Sequence, residues 1–235
     1  MQNPYALHGA ALMDYYRGDV GATLVSHQDG QRDDVPAAFW FRENIDPIED
    51  LAVDLCRGRI LDVGAGTGVH SLKLQGRGQS VTSIDIVPEC VAIMQERGVR
   101  NAMVADVCDF AGPAFYTILC ICNGLDKVGR FSDLPRFLTR VRELLSPDGQ
   151  LIADSFDLRI GADLAQRAEF ARKEAEGRYF GELDMRFEYK SCIGEPFTVL
   201  QVDFETLRQV AEDNGWSCEL VKADRGHYLA RARPR

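Results

Sequence analysis

Long hydrophobic runs are missing from this 235-residue chain. None approaches the roughly 20 apolar residues that a membrane-crossing helix needs, so no bilayer span is expected. The first residues, Met1-Gln-Asn-Pro-Tyr-Ala-Leu-His8, have neither a basic leader nor a continuous apolar stretch, and no signal peptide is read there. Cysteine is scattered and odd in number: Cys56, Cys90, Cys108, Cys120, Cys122, Cys192 and Cys218 contain no C-x-x-C pair. That pattern argues against a disulfide framework or a zinc site, and no metal is expected. Basic residues are the minority, 27 against 36 acids, for a net charge of −9. Nucleic-acid grooves and anionic membranes are reached through clustered Lys and Arg, so neither is expected as the main partner. Internal repeats and low-complexity blocks are absent, which excludes solenoids and disordered tails. The remaining expectation is a soluble cytoplasmic domain with a 46% apolar composition and a buried core.

The apolar segments that are present alternate with helical stretches from Asp46 to about Ser155, the βαβ signature of a parallel sheet. Asp46 and Pro47 read as N-cap and first turn of a helix that ends near Gly58. Strands are expected at Arg59–Val63, Ser80–Asp85, Ala102–Ala105, Tyr116–Ile121 and Leu151–Ser155, with helices after Val69, after Pro88 and over Leu134–Leu145. Ser146-Pro-Asp-Gly149 reads as the stop of the last helix. Farther on, a helix is expected over Ala162–Glu176, a strand at Met185–Tyr189 and a helix at Phe204–Asn214. Trp216–Val221 and His227–Ala232 then read as a closing antiparallel hairpin. The fold class is therefore α/β: a doubly wound, mostly parallel seven-stranded sheet with a C-terminal hairpin. Residues 1–45 form an aromatic-rich, helical N-terminal cap, residues 46–235 the main domain, and residues 157–200 an insertion after the fifth strand.

The most informative stretch is Leu61-Asp62-Val63-Gly64-Ala65-Gly66-Thr67-Gly68, which leaves a strand and enters a helix. Close glycines there let backbone approach a ligand. The spacing is G-x-G-x-G, and Asp62 stands two residues ahead of it. An acid so placed opposes a pyrophosphate and suits a cationic ligand such as a sulfonium. Asp85 ends the second strand, where a carboxylate can bind a ribose diol. Asp106 and Val107 follow the third strand, where an acid can accept from an adenine amine while an apolar side chain covers the ring. Three acids at successive strand ends fall along the edge where open parallel sheets bind ligands.

In these motifs the chain resembles class I S-adenosylmethionine-dependent methyltransferases from about Asp46 to Ser155, and Leu144-Leu-Ser-Pro-Asp-Gly-Gln-Leu-Ile152 is similar to that family's segment before the fifth strand. The resemblance implies S-adenosyl-L-methionine as cofactor. Gly64, Ala65, Gly66 and Gly68 would line its methionine part, with Asp62 fixing the loop. Asp85 would bind the ribose, Ile86 would pack on the adenine, and Asp106 with Val107 would meet the adenine amine and ring. Cys122 and Asn123 would border the methionine end.

The acceptor is expected to be a small molecule methylated on N, O or C. Cys122-Asn123-Gly124-Leu125-Asp126 lacks the prolines and aromatic of nucleic-acid enzymes, and no Pro-Cys dipeptide is present. On the acceptor side Tyr16 or Tyr15 would approach the methyl, and His8 would be a base. Tyr179, Tyr189, Arg42 and His227 are further candidates, His227 reading better as structural, while His70 reads as facing solvent or capping a helix. Cys120 and Cys122 read as sharing one strand face. Other readings of the same sheet are a protein or peptide methyltransferase, a nicotinamide-dependent oxidoreductase and a non-catalytic cofactor-binding relative. The sequence does not specify an oligomeric state.

Overall fold

A computed structural model describes residues 3–235. Helix α1 (Ala6–Tyr16) is followed by strands β1 (Thr23–Gln28) and β2 (Gln31–Pro36) and a 3-10 turn at Ala37–Phe41. The chain then runs through α2 (Pro47–Leu55), β3 (Arg59–Val63), α3 (Val69–Gly76), β4 (Ser80–Asp85), α4 (Pro88–Glu96) and β5 (Ala102–Val104). Strand β6 (Phe115–Cys120), helix α5 (Leu134–Leu144) and strand β7 (Leu145–Phe156) complete the alternation. Next come α6 (Leu164–Ala175), β8 (Glu182–Tyr189), β9 (Cys192–Ile193), β10 (Phe197–Leu200) and α7 (Phe204–Asp213), before the hairpin of β11 (Trp216–Asp224) and β12 (His227–Pro234).

The strands of the large sheet follow the order β11-β12-β7-β6-β3-β4-β5. The pairs β6–β7 and β4–β5 are parallel, and β11–β12 and β12–β7 are antiparallel. This is the expected doubly wound, mostly parallel sheet with its C-terminal hairpin. Strand order turns at β3, and the end of β3 carries the glycine turn, the position where such sheets take ligands. A smaller sheet has the order β10-β8-β1-β2, with β9 paired to β8.

Two compact units emerge. The first takes the chain as far as Ile45, with Leu61–Phe110 and Asp184–Phe197; the second comprises Asp46–Ile60, Ala111–Leu183 and Thr198–Arg235. In the first, Leu12, Leu24, Ile93 and Cys90 are fully buried, and Phe187 and Tyr189 join them. In the second, Ile118, Leu119, Leu138, Val141 and Trp216 are fully buried. Each such large side chain contributes roughly 1.5–3 kcal/mol by leaving water.

Local chemistry explains most boundaries. Asp46 caps α2, its carboxylate accepting from Ile48 N at 2.7 Å, with Pro47 in the first turn as expected. Helix α5 buries Leu134, Phe137, Leu138, Val141 and Leu144, a three-and-four spacing that makes one apolar stripe. Asp163 and Gln166 form a capping box at the start of α6.

Two elements depart from the pattern reading. The N-terminal segment contains the β1–β2 hairpin as well as its helix, and β1 also pairs antiparallel with β8, Val25 opposite Glu188. Asp29 and Gly30 carry it through its turn at φ 49° and 83°, the left-handed pair that tight hairpins favour. The helix stops at Leu144 as expected, but strand β7 begins at once at Leu145 and runs through Ser146–Gly149 rather than starting at Leu151. Phe115 pairs with Leu145 and Thr117 with Gln150, so residues 146–149 bulge out of a continuing ladder.

Candidate functional site

The glycine turn after β3 owes its course to backbone conformations that side chains resist. Gly64, Gly66 and Gly68 have φ of 65°, 56° and 83°, all left-handed. Gly68 must also be small, because a Cβ there would stand 2.8 Å from Val99 Cγ2. A Cβ on Gly66 would meet nothing within 4 Å, so open space lies over the turn at that residue. The amides of Gly64 and Ala65 donate to Ile84 O at 2.9 and 3.1 Å, which holds the turn against β4.

Two buried acids fix the surroundings. Asp62 accepts from Ser71 Oγ at 2.5 Å, and Ser71 in turn meets Ser83 Oγ at 2.7 Å, joining β3, α3 and β4. Asp85 accepts from Gly66 N through Oδ2 at 2.8 Å and from Val87 N through Oδ1 at 2.9 Å. Asp85 thus touches the glycine turn directly, and Asp62 also bonds to the first turn of α3. Beyond Asp85, Ile86 leaves 41% of its surface in solvent. Asp106 is exposed and closes a short turn by accepting from Cys108 N at 2.8 Å, and Val107 beside it is buried.

The N-terminal layer reaches this turn through Trp40 and Arg97. Thr67 Oγ donates to Trp40 O, and Arg97 Nη1 donates to Thr67 O at 2.7 Å and to its Oγ at 2.9 Å. The Arg97 guanidinium lies 5.4 Å from the centre of the Phe41 ring. Tyr16 stacks on the same ring with centroids 6.1 Å apart, and Tyr15 lies at 4.9 Å. Helix α1 approaches α4 closely at Gly9, where a Cβ would fall 2.6 Å from Val87 Cγ1. His8, one residue earlier, packs its ring against Trp40 at 4.8 Å and Phe187 at 5.8 Å. Its Nδ1 is buried without a hydrogen-bond partner. Burial pushes the His8 pKa down to about 4, so the imidazole is neutral at pH 7.

The other sequence candidates separate. Tyr179 Oη donates to Asp203 Oδ2 at 2.6 Å and Tyr189 Oη to Asp14 Oδ2 at 2.9 Å, so both hydroxyls serve structural bonds. Arg42 donates to Phe39 O and lies over that ring. His70 is buried, not solvent-facing: its position in the first turn of α3 points it inward. Cys120 and Cys122 do not share a strand face, because β6 ends at Cys120 and Cys122 turns left-handed at φ 61°. Asn123 follows at φ 60°. His227 places its Nε2 2.8 Å from Asp154 Oδ2. Sequence reasoning missed Thr67, Ser71, Arg97 and Asp154, whose contacts are set by the fold and leave no local spacing to detect. Among the described residues no group of His, Cys, Asp or Glu is arranged to hold a metal, and no helix is long and apolar enough to cross a membrane.

Residues 60–149 match a family described as a methyltransferase domain. A methyltransferase from Bacteroides fragilis that uses S-adenosylmethionine, solved with S-adenosyl-L-homocysteine, is 35% identical, covers 100% of this chain and 97% of its own, and superposes with a TM-score of 0.88. DesVI from Streptomyces venezuelae shares the fold with a TM-score of 0.59 at 14% identity, over 80% of this chain and 91% of its own. A ubiquinone biosynthesis O-methyltransferase from Xanthomonas oryzae is 27% identical over 113 residues, 45% of this chain and 46% of the relative. The chain spans about half the length of the curated relatives it matches.

Proposed function

The chain belongs to the S-adenosylmethionine-dependent methyltransferases, and from that premise we propose that it transfers a methyl group to N, O or C of a small-molecule acceptor. The carrying observation is the glycine turn itself, left-handed at three positions, open above Gly66 and tied by the Gly66 amide to Asp85. These residues fit S-adenosyl-L-methionine. Gly64, Ala65, Gly66 and Gly68 take its methionine part, and Asp62 holds their loop through Ser71. Asp85, whose oxygens accept the Gly66 and Val87 amides, is assigned to the ribose hydroxyls on the motif resemblance. Ile86 offers its exposed face to the adenine, with Asp106 at the amine and Val107 alongside. Cys122 and Asn123 are assigned to the methionine end on the motif resemblance.

The bound donor supplies an electrophilic methyl on a sulfonium, which leaves to the protein alignment of the acceptor and exclusion of water. Tyr16, or Tyr15 beside it, provides the aromatic wall on the acceptor side, held by Phe41. For acceptors that must lose a proton, His8 is assigned as the residue that would take it up on a ring nitrogen. It is neutral at pH 7, as a base must be, and its lowered pKa makes it a weak one. The Xanthomonas relative, named as an O-methyltransferase of ubiquinone biosynthesis, is in keeping with a small acceptor.

Calorimetry with S-adenosylhomocysteine tests the donor reading. The wild type is expected to bind in the micromolar range, and Asp85→Ala to weaken binding by about tenfold or more, since a charged hydrogen-bonding group contributes roughly 1.5–3 kcal/mol. Absence of binding at tens of micromolar overturns the reading.

A further inference from the structure

Asp154, near the end of β7, is fully buried, and its carboxylate collects donors from two elements. Oδ1 accepts from Gly124 N at 2.6 Å; Oδ2 accepts from Asn123 N at 3.3 Å and meets His227 Nε2 at 2.8 Å. The two amides belong to the turn after β6, where Cys122 and Asn123 are both left-handed at φ 61° and 60°. For residues with a Cβ that conformation costs about 1–2 kcal/mol each, so the turn needs an external hold. Amide bonds to a buried carboxylate are charge-assisted and provide one. Gly124 must stay small beneath it: a Cβ there would stand 3.1 Å from Asp154 Oδ1 and 3.1 Å from Cys120 Cβ.

His227 is held as firmly as the carboxylate it faces. It opens β12 in register with Phe156 of β7, and the two rings stack with centroids 4.3 Å apart and planes 5° from parallel. Its Nδ1 lies 4.0 Å from Asp46 Oδ1, at the cap of α2. The imidazole is thus fixed by stacking on one side and by the Asp154 carboxylate at Nε2, with the Asp46 charge near Nδ1.

We propose that Asp154 and His227 form a latch that positions the Cys122–Asn123 turn for the methionine end of the donor, with His227 a positioning residue acting through Asp154. The latch rests on the donor reading given above.

The groups facing His227 are Asp154 on β7, Asp46 and Glu49 on the α2 side, and the uncharged Phe156. Burial opposes the imidazolium, but the Asp154 hydrogen bond and the charges of Asp154, Asp46 and Glu49 outweigh it and raise the His227 pKa above its usual value. A raised folded pKa stabilises fully below the unfolded value, about 6.5, and the gain is lost as pH climbs through the folded value. The latch therefore holds the turn more firmly at pH 6 than at pH 9.

S-Adenosylhomocysteine titrations of the full-length wild type, His227→Gln and Asp154→Asn between about pH 6 and pH 9, each with a thermal melt, test this. At pH 6 both variants are expected to bind roughly three- to tenfold more weakly than the wild type. The affinity of the wild type should fall by about threefold more across the pH range than that of His227→Gln. A lowered melting temperature with the affinity and pH profile of the wild type retained overturns the latch and leaves the pair purely structural. If Asp154→Asn does not fold, His227→Gln decides alone. A wild type that binds no S-adenosylhomocysteine at any pH overturns the donor reading first, an outcome distinct from loss of the latch alone.

Discussion

A buried polar atom without a partner costs roughly 1–3 kcal/mol, and His8 Nδ1 is such an atom. Its ring lies against Trp40, whose carbonyl is bonded to the glycine turn through Thr67. Its lowered pKa has a consequence for stability. Between pH 6.5 and about 4 the unfolded chain binds the His8 proton and the folded one does not, so stability falls as pH drops through that window. Urea unfolding at stepped pH should show this decline in the wild type and a shallower one in His8→Gln. The positions of Asp62, Asp85 and Asp106 at successive strand ends were legible in the sequence because their spacing follows the strands. Arg97 was not, since it lies 30 positions from Thr67 with no periodic signal linking them.

At the scale of elements, the alternating region was read nearly to the residue. Strand β3 runs Arg59–Val63 and β4 Ser80–Asp85, short segments rich in β-branched residues and bounded by Gly58, Gly64, Gly78 and Pro88. The β1–β2 hairpin escaped notice because β2 is Gln-Arg-Asp-Asp-Val-Pro, almost wholly exposed, without an apolar alternation to mark it. Its only local sign was Asp29-Gly30. Strand β7 was shortened in the reading because Ser-Pro-Asp-Gly is a stop in an isolated chain, whereas pairing with β6 tolerates a bulge. Element packing also makes a prediction at Gly9. Gly9→Val places methyl groups where Val87 and Glu89 already lie, and α1 must move away from α4. The melting temperature should drop by several degrees, for an overpacking cost of roughly 1–3 kcal/mol.

For the whole molecule, the smaller sheet is the feature with the most functional weight. Strand β8, from the insertion after β7, pairs with β1 from the N-terminal segment, although 161 positions separate His27 from Glu188, whose side chains meet at 3.2 Å. The two segments read as separate embellishments are therefore built partly into one sheet. Acceptor choice is expected to follow them: replacing residues 1–45 or 157–200 with the corresponding segment of a relative should change which acceptors are methylated, as read by product mass. Unchanged preference in both exchanges would place acceptor recognition elsewhere.

The sequence by itself determined the family, the alternating fold and the donor of this protein. A glycine turn, the acids that follow successive strands and the apolar runs between them are local signals, and local signals survive in a linear text because each depends on neighbours a few residues away. Only the tertiary structure decided which acid grips the turn, that Trp40 and Arg97 close around Thr67, and that Asp154 and His227 hold the turn after β6. Those contacts join residues 19 to 73 positions apart, and long-range pairing is chosen by packing and by the need to satisfy buried polar groups, neither of which has a period along the chain.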